Sequence, residues 1–266
     1  MIKARIYQIV KAAYAAHGHY STQLFGRPMR LDPEFMEFWR SLRRGLWEPE
    51  TIALLDKVLL PDDVYCDVGA WIGPTVLCAA TKCKTVYCFE PDRFAYESLL
   101  KNIRLNAMTN IVPFHIALSD SDGLVEMASR GNLGDTMTSL LADKSGKQTI
   151  TVPCISWSTF LTTFQPHVID VLKIDTEGAE FMLLPAMREY LAEHRPVLYL
   201  STHAPFLPAE TRLQHLQQLM EILRVYDRCM TSHLVPATHD VLTSQEALEG
   251  YPAYLFFDSA KRPDLC

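Results

Sequence analysis

The amino-acid sequence predicts an α/β protein with a doubly wound, mostly parallel sheet, and two observations support this prediction. Five short apolar runs are continuous rather than alternating, as in strands that helices cover on both faces. Amphipathic segments of helical period separate these runs, and an alternation of strand and helix requires right-handed crossovers between parallel strands. In chain order, the runs read VYCDVG, TVYCFEPD, IVPFHIALSD, VIDVLKIDTEG and RPVLYLSTH.

The segment before the first run has the pattern of helices. In LDPEFMEFWRSLRRG, Asp32 is suited to cap a helix, Pro33 to occupy its first turn and Gly45 to end it. The segment EPETIALLDKVLLP, which follows, has the same kind of start. We therefore expect residues 1–50 to form a helical extension and residues 51–266 to form the main domain.

The later elements continue the alternation, with one interruption. The segments RFAYESLLKNIRLN and ETRLQHLQQLMEILRVY place apolar residues on one helical face, and AYLFFDS is typical of a last strand. The segment from Leu124 to Ser156 has strand-like ends, but its Gly-, Asp- and Ser-rich middle shows no helical period. We expect a hairpin or an irregular insertion there, after the third strand.

Composition and charge exclude some classes of partner. The chain has 266 residues, 48% of them hydrophobic, and a net charge of −6. An acidic surplus does not attract nucleic acid or an anionic membrane surface, so neither is expected to bind. No apolar run approaches the roughly 20 residues that span a bilayer. Lys11 interrupts the apolar stretch of an N-terminus that otherwise resembles a signal peptide.

The seven cysteines contain no C-x-x-C pair with which a zinc or redox site would begin. Most of them fall within apolar runs, which favours buried, reduced thiols in a cytoplasmic protein. The histidines likewise show no H-x-x-H or H-E-x-x-H spacing. No metal site is therefore predicted.

Ligands of an open parallel sheet bind beyond the carboxyl ends of its strands, where small and acidic residues recur in this sequence. Asp67 ends the first run, and Gly69 and Gly73 then allow a tight turn into the next helix. Glu90 ends the second run about 20 residues later, where a carboxylate accepts hydrogen bonds from ribose hydroxyls. The spacing G-x-x-x-G lacks the middle glycine of a dinucleotide fingerprint. This combination favours S-adenosylmethionine over NAD as the cofactor.

Further polar residues end the fourth and fifth runs. Lys173 and Asp175 alternate along one strand and share a face, either as a structural ion pair or as a contact to the cofactor. Glu180 opens the following helix, where a carboxylate stabilises the helix dipole without a catalytic duty. His203 ends the fifth run, where a packed or surface role competes with a functional one.

Several of these blocks together resemble the FkbM family of S-adenosylmethionine-dependent methyltransferases. The likeness extends roughly from Trp47 to Met187, and its most specific parts are KIDTEGAE and FEPD. The resemblance implies a class I methyltransferase fold, which is Rossmann-like, with a seven-stranded, mostly parallel sheet, flanking helices and an antiparallel last strand. It also implies methylation of a hydroxyl on a sugar, polyketide, lipid or peptide-derived small molecule.

The resemblance places Asp67, Gly69 and Gly73 in the first loop around the cofactor. Trp71 departs from the family, which commonly has a small polar residue at this position, and an indole there would narrow or close the cofactor pocket. Two alternatives stay open, the first because of Trp71 and the second although the middle glycine is missing. One is a relative that binds its ligand without turnover, and the other is a nicotinamide-dependent oxidoreductase on a similar sheet.

The resemblance also implies a ribose contact at Glu90, an adenine wall at Ile116 and Ala117, and a place for Asp175 beside the methionine end and the substrate. Histidine has an unperturbed pKa of about 6.5, which suits a proton acceptor near neutral pH. We therefore expect Asp175 to position the substrate and His203 to act as the general base. The expected partner is a small-molecule or carrier-linked hydroxyl substrate, and a homodimer stays open.

Overall fold

A twisted sheet crosses the protein and carries the candidate site at one edge. The computed structural model describes residues 2–129, 138–139 and 149–266. Neighbouring residues of the central strands face opposite sides of this sheet. Tyr65 packs in an apolar cluster with N-terminal residues, whereas Cys66 packs in a second cluster with residues of the later helices. Both faces of the parallel strands are therefore covered, as their continuous apolar runs predict.

The elements of the described residues alternate between strand and helix after an N-terminal segment of mixed structure. The α-helices are α1 (Ile2–His17), α2 (Met36–Arg43), α3 (Pro49–Val58), α4 (Pro74–Ala80), α5 (Arg93–Leu105), α6 (Trp157–Phe164), α7 (Glu180–Ala186), α8 (Arg188–His194), α9 (Arg212–Leu223) and α10 (Gln245–Glu249). The strands are β1 (Tyr20–Leu24), β2 (Arg27–Leu31), β3 (Val64–Val68), β4 (Thr85–Phe89), β5 (Ile111–Phe114), β6 (Ala117–Ser119), β7 (Gly123–Ser129), β8 (Thr138–Ser139), β9 (Thr149–Ser156), β10 (Val171–Ile174), β11 (Val197–Ser201), β12 (Arg228–Thr231), β13 (Pro236–Ala237) and β14 (Ala253–Phe257). Short 3₁₀ helices cover Pro33–Phe35, Ala204–Phe206, His239–Thr243 and Pro263–Leu265. No helix among these has both the length and the apolar character needed to cross a membrane.

The main sheet has the strand order β5-β4-β3-β10-β11-β14-β12-β13 within the described residues. The strands from β5 to β11 pair in parallel, which confirms the predicted parallel sheet. β14 is antiparallel to both of its neighbours, β11 and β12, as expected of the last strand. The prediction of seven strands omits β13, a two-residue strand that pairs antiparallel with β12 at the edge.

A second, smaller sheet follows the third strand of the main sheet. The run IVPFHIALSD divides into β5, in the main sheet, and β6, which pairs with β9 instead. β7 and β9 form an antiparallel ladder that begins with Gly123 opposite Cys154, and β8 pairs with the other edge of β7, so the strand-like ends of the predicted insertion are confirmed. The polar middle of the segment, at 130–137 and 140–148, lies outside the described residues.

The first fifty residues are helical only in part, contrary to the expectation of a helical extension. Between α1 and α2, the strands β1 and β2 form an antiparallel hairpin. Its turn residues, Phe25 and Gly26, both have positive φ, 52° and 72°, which suits the twist of a tight two-residue hairpin. The strands bury alternate residues, such as Met29 and Leu31 on β2, and this period of two distinguishes them from a helix.

Hydrogen bonds from α5 join the N-terminal segment to the rest of the fold. Asn102 is fully buried, and its Oδ1 accepts the backbone N–H of Asp32 at 2.7 Å while its Nδ2 donates to the Ile72 carbonyl at 3.0 Å. Lys101 adds an ion pair with Asp32 at 2.7 Å. Trp39 of α2 is completely buried in the same cluster as residues of β3 and β4. The N-terminal segment thus shares a core with the sheet, and a domain boundary at residue 50 stays a prediction.

Six of the seven cysteines are buried, and none of the seven forms a disulfide in the described structure. Burial raises the pKa of the Cys78 and Cys83 thiols to about 12. These groups therefore stay protonated near neutral pH, and a protonated thiol is a poor nucleophile. Cys266, in contrast, is exposed.

Candidate active site

Two cavities meet at the carboxyl edge of the parallel strands, where the sequence predicts a ligand site. The smaller, of about 80 Å³, is named the β4 cleft and is lined by Val68, Gly69, Trp71, Phe89, Glu90, Pro91, Asp92, Ile116, Ala117, Leu118, Met127, Asp175, Thr176, Glu177 and Ala179. The larger, of about 480 Å³, is named the β11 pocket and is lined by Trp47, Glu48, Glu50, Thr51, Gly69, Ala70, Trp71, Pro74, Thr75, Lys173, Asp175, Glu177, Tyr199, Ser201, His203, Phe206, Ser232, Glu246, Tyr251, Pro252 and Ala253. The cavities share a wall formed by Gly69, Trp71, Asp175 and Glu177.

Two glycines with positive φ shape the loop after β3. Gly69 (φ 92°) begins the turn, and a Cβ at this position would overlap the backbone carbonyl of Asp175. Gly73 (φ 95°) precedes α4, and a Cβ there would lie 2.6 Å from the Leu99 side chain. The sequence predicts that these glycines let the backbone approach a ligand, but packing within the protein already requires both. Gly69 lines both cavities, whereas Gly73 lines neither.

Glu90 directly follows β4 and lines the β4 cleft. Oε2 accepts the backbone N–H of Trp71 and Oε1 that of Asp92, each at 2.7 Å. Burial raises the pKa of this carboxyl to about 7, although the two amide hydrogen bonds oppose the change. Each oxygen keeps a second lone pair, with which it can accept a ribose hydroxyl. Ile116 and Ala117 line the same cleft.

Asp67 is fully buried beneath the loop and lines neither cavity. Its carboxylate accepts hydrogen bonds from the hydroxyls of Tyr65 (3.0 Å) and Thr75 (2.6 Å). It also pairs with Lys173 at 3.1 Å, and the same ammonium group donates to the Gly69 carbonyl at 3.3 Å. Asp67 is thus joined to the glycine loop through Lys173, and Lys173 rather than Asp67 lines the β11 pocket.

Lys173 and Asp175 form the ion pair that their alternation on one strand predicts, with 3.5 Å between Nζ and Oδ2. Burial disfavours the Lys173 charge, but Asp67 and Asp175 hold the pKa of this lysine above its ordinary value. Burial likewise disfavours the Asp175 charge, but Lys173 and His203 hold the pKa of this carboxyl below its ordinary value. Asp175 is therefore ionised at neutral pH, and it lines both cavities.

His203 lies among three carboxylates just after β11. Nδ1 is 3.2 Å from Glu180, and Nε2 is 3.6 Å from Asp175 and 3.8 Å from Glu177. Burial favours the neutral ring, but these acids, Glu180 foremost, raise the pKa of His203 to about 9. The imidazole is therefore protonated near neutral pH, and this opposes the expected role of general base. No group of three His, Cys, Asp or Glu side chains in the described residues is arranged to hold a metal ion.

Glu180 contacts His203 in this site. The sequence predicts only a stabilising contact between Glu180 and the helix dipole. Its side chain is completely buried at the start of α7. Oε1 accepts the backbone N–H of His203 at 2.6 Å, and Oε2 accepts that of Gly178 at 2.9 Å. Glu180 thus joins α7 to the end of β11 and holds the histidine ring in place. The motif KIDTEGAE contains this acid, but its partner lies 23 residues away.

The start of α3 supplies residues of the β11 pocket that the sequence analysis does not single out. The Thr51 hydroxyl donates to Glu48 Oε2 at 3.0 Å and lies 2.7 Å from the Tyr199 hydroxyl of β11. Burial, followed by the nearby Asp175, raises the pKa of Glu48 to about 7. In the sequence, Glu48 belongs to the stretch WEPE. This stretch is typical of a helix start, and that interpretation gives no reason to expect a role for Glu48 in the site.

Trp71 belongs to the shared wall and is held by the N-terminal segment. Its ring packs edge-on against Phe38, with 4.5 Å between centroids, and against Phe35 at 5.9 Å. Its backbone is left-handed (φ 48°), and its N–H donates to Glu90. The indole lines both cavities, and its effect on cofactor binding stays a prediction.

The class of protein follows from the sheet order, the glycine loop and the acid that ends β4, together with a family match. Residues 67–228, more than half of the chain, match the family described as the methyltransferase FkbM domain. The chain belongs to this family. Membership confirms the resemblance, the class I methyltransferase fold and S-adenosylmethionine as the cofactor, and it disfavours the nicotinamide-dependent alternative.

Individual relatives share less of the sequence. The chain is 28% identical over 155 residues to the hexuronic acid methyltransferase AglP of Haloferax volcanii, a match covering 58% of this chain and 62% of AglP. A 57-residue match to the uncharacterized protein MJ1452 of Methanocaldococcus jannaschii is 39% identical and covers 21% of this chain and 22% of that protein. The crystal structure of methyltransferase FkbM from Methylobacillus flagellatus aligns at 16% identity and a TM-score of 0.48, over 85% of this chain and 59% of that one. The chain thus spans less than two thirds of each relative's length.

Proposed function

We propose that the protein transfers the methyl group of S-adenosylmethionine to a hydroxyl oxygen of a small-molecule or carrier-linked substrate. The observation that carries this proposal is the shared wall between the cavities. The β4 cleft contains Glu90, the β11 pocket opens beside it, and Asp175 lines both. A cofactor in the cleft and a substrate in the pocket would meet at that wall, and positioning two reactants in this way supplies much of the acceleration in such a transfer.

The residues of the β4 cleft suit the cofactor by their chemistry. In this proposal Glu90 accepts the ribose hydroxyls, and Ile116 and Ala117 cover the adenine base. When bound, S-adenosylmethionine supplies an electrophilic methyl group on a positively charged sulfur. The ionised Asp175 carries the charge that attracts this cationic end, and the close packing of Gly69 against the Asp175 backbone keeps the two cavities adjacent.

We assign Asp175 and His203 to positioning the substrate. The Asp175 carboxylate accepts a hydrogen bond from a second hydroxyl of the substrate, next to the one that is methylated, while the protonated His203 holds Asp175 and Glu177 in place. Because His203 already carries its proton near neutral pH, we no longer assign it the role of base. A His203→Gln substitution should accordingly lower the single-turnover rate by less than the roughly hundred- to ten-thousandfold loss that removal of a general base causes.

A sugar-like hydroxyl substrate suits the described lining of the β11 pocket. Trp47, Phe206 and Tyr251 offer flat aromatic surfaces, and ionised carboxylates such as Asp175 accept hydrogen bonds from hydroxyl groups. The similarity to a hexuronic acid methyltransferase also supports a sugar as the methyl acceptor. Assays should therefore begin with sugars and their glycosides.

Binding and methyl transfer test this function in separate steps. Isothermal titration should detect binding of S-adenosylmethionine and of S-adenosylhomocysteine, and no binding of NAD. Incubation with methyl-labelled cofactor and a panel of glycosides should then give a methyl ether, identified by mass spectrometry and NMR. Binding of NAD alone would overturn the proposal. Cofactor binding without transfer to any hydroxyl would favour the non-catalytic alternative, and a methyl group found on nitrogen or carbon would overturn O-methylation.

Three expectations stay predictions: they concern nucleic-acid binding, the cellular compartment and the oligomeric state. A net charge of −6 supports the absence of a nucleic-acid partner. The buried, unpaired cysteines accord with a reducing cytoplasm. A homodimer is the third, and sedimentation of the purified protein would test it.

A further inference from the structure

We propose that Glu48 accepts the proton of the substrate hydroxyl during methyl transfer. This inference rests on the proposed function, because it assigns the base for an O-methyl transfer in the β11 pocket. Glu48 lies at the start of α3, within the N-terminal part of the chain and outside the matched family region, 67–228. It lines the same pocket as Asp175 and His203.

A buried chain of hydroxyl groups holds the Glu48 carboxylate in the pocket. Thr51 donates its proton to Glu48 Oε2 at 3.0 Å, so the Tyr199 hydroxyl must be the donor in its 2.7 Å contact with Thr51. Thr51 and Tyr199 are only 1% and 2% exposed, which keeps water from competing for these bonds. Among the described residues no hydrogen bond engages Glu48 Oε1, and the side chain does not cap α3.

The backbone at Glu48 is strained, and this strain accompanies the placement of its side chain in the pocket. Its φ of 36° and ψ of 55° are left-handed, which for a non-glycine residue costs about 1–3 kcal/mol. Pro49 follows, and a residue before proline ordinarily favours an extended backbone. Strain of this kind persists where the surrounding structure enforces it, and it is concentrated at functional sites.

The charges around Glu48 favour a carboxyl group that exchanges its proton near neutral pH. The titratable groups that face it are Lys173 of β10, Asp175 directly after that strand, Glu50 of α3 and Tyr199 of β11. Burial and then Asp175 raise the pKa of Glu48 to about 7, and the charge of Lys173 offsets only part of this rise. A base with a pKa near the working pH is both available and strong enough to accept the proton.

Two other groups at the pocket are less suited to this task. The pKa of Asp175 is held below its ordinary value by Lys173 and His203, so this carboxylate is a weak base. His203 has a pKa of about 9 and is already protonated near neutral pH. Glu48 is therefore the better acceptor among these three residues of the pocket.

The proposed step balances in atoms and charge. A lone pair of the substrate oxygen forms the new bond to the methyl carbon as the carbon–sulfur bond breaks, and the electron pair of that bond remains on sulfur. The hydroxyl proton passes to Glu48, which becomes a neutral carboxylic acid. A sulfonium and a carboxylate are thus replaced by a neutral thioether and an acid, and the product is a methyl ether. Glu48 then releases the proton to solvent.

A single-turnover experiment tests the proposal with two matched variants. Glu48→Gln keeps an acceptor for the Thr51 hydroxyl but cannot take up a proton, so the transfer rate should fall by about a hundred- to ten-thousandfold. The dissociation constant of S-adenosylhomocysteine should change by less than about twofold, because Glu48 lines the substrate pocket and not the β4 cleft. Asp56→Asn removes an exposed acid of the same helix and should keep the wild-type rate. A Glu48→Gln rate within about tenfold of wild type overturns the proposal.

Carbon-13 NMR of carboxyl-labelled glutamate gives a readout that does not require turnover. The resonance missing from Glu48→Gln identifies Glu48, and in the wild type it should titrate near pH 7 and not near the ordinary value of 4.5. Titration near the ordinary value overturns the proposal. If the wild type binds the cofactor but methylates no hydroxyl, the proposed function fails first, and the role of Glu48 fails with it. If the wild type methylates hydroxyls and Glu48→Gln is equally active, the proposed function stands and only the role of Glu48 is overturned.

Discussion

Both carboxylate oxygens of Glu90 accept hydrogen bonds from backbone amides, those of Trp71 and Asp92, and the residue also lines the β4 cleft. Glu90→Ala should weaken binding of S-adenosylmethionine by about ten- to a hundredfold, because a charged hydrogen-bond contact to ribose contributes about 1.5–3 kcal/mol. Isothermal titration measures the change. Glu97→Gln, at an exposed position of α5, is the control and should bind as the wild type does. An unchanged dissociation constant for Glu90→Ala would contradict the ribose contact.

The pKa of His203 predicts how its contribution to stability depends on pH. Because the folded-state pKa of about 9 lies above the ordinary 6.5, the folded protein binds more protons between these values. The contribution is complete below about pH 6.5 and is lost as pH rises through about 9. Urea unfolding should show His203→Gln to be less stable than wild type at about pH 6, with a smaller difference at about pH 10. A difference that grows with pH would count against the protonated ring.

The positions of single residues could be predicted better than their protonation. Glu90 lines the β4 cleft, as its place at the end of an apolar run indicates, because the carboxyl ends of parallel strands meet at one edge; its contact to ribose stays a prediction. The charge of His203 was not predictable, because Glu180 reaches it from a different element. Asp67 satisfies the same strand-end rule but lies below the loop, and the direction of its side chain depends on the pairing with Lys173.

The loop after β3 depends on a glycine whose replacement should have a large effect. In Gly69→Ala the new methyl group would overlap the Asp175 carbonyl, and the φ of 92° would be strained as well. We expect a loss of more than about 3 kcal/mol in the free energy of unfolding and a loss of cofactor binding. Gly45→Ala also has a positive φ, 65°, but meets no atom within 4 Å, so it should cost only about 1 kcal/mol. Equal losses in chemical unfolding would contradict the role of the close contact.

Elements with a continuous or periodic apolar pattern can be predicted from the sequence, whereas elements without such a pattern cannot. The five parallel strands and α5 and α9 follow from such patterns and are confirmed. The β1–β2 hairpin is not predicted because its strands, YSTQL and RPMRL, contain no continuous apolar run and its Phe-Gly turn is not one of the commonest turn pairs. The two residues of β13 are too few for any periodicity.

The N-terminal segment and the sheet should unfold together, since a buried asparagine joins them. Asn102→Ala would remove two hydrogen bonds and leave the N–H of Asp32 and the carbonyl of Ile72 without their partner, at a cost of about 2–4 kcal/mol. Asn106→Ala removes bonds to Arg30 that are open to water, so it should cost less than about 1 kcal/mol. Urea denaturation should show one transition in each protein. Separate transitions for the two parts would contradict a shared core.

At the scale of the whole molecule, the sequence predicts the class of fold but not which N-terminal residues line the site. The strand runs and the family resemblance led to the parallel sheet and its antiparallel last strand. The sequence analysis predicts a helical extension over the first fifty residues but does not single out Trp47 and Glu48, which line the β11 pocket. Their place there depends on contacts with distant residues, such as that between Thr51 and Tyr199, which lie 148 positions apart in the sequence. Such contacts leave no periodic trace in a single sequence.

The burial of six of the seven cysteines allows unfolding of the protein to be followed by thiol labelling. A maleimide dye should attach to the native protein once, at Cys266, because the other six thiols are buried. Under conditions that open the structure, six further sites become reactive, and the rate at which they gain label reports how often the interior is exposed. Mass spectrometry of labelled peptides would then show whether Cys88 in the sheet and Cys154 in the smaller sheet react together or in sequence. Earlier labelling of Cys154 would identify the smaller sheet as the first part to open.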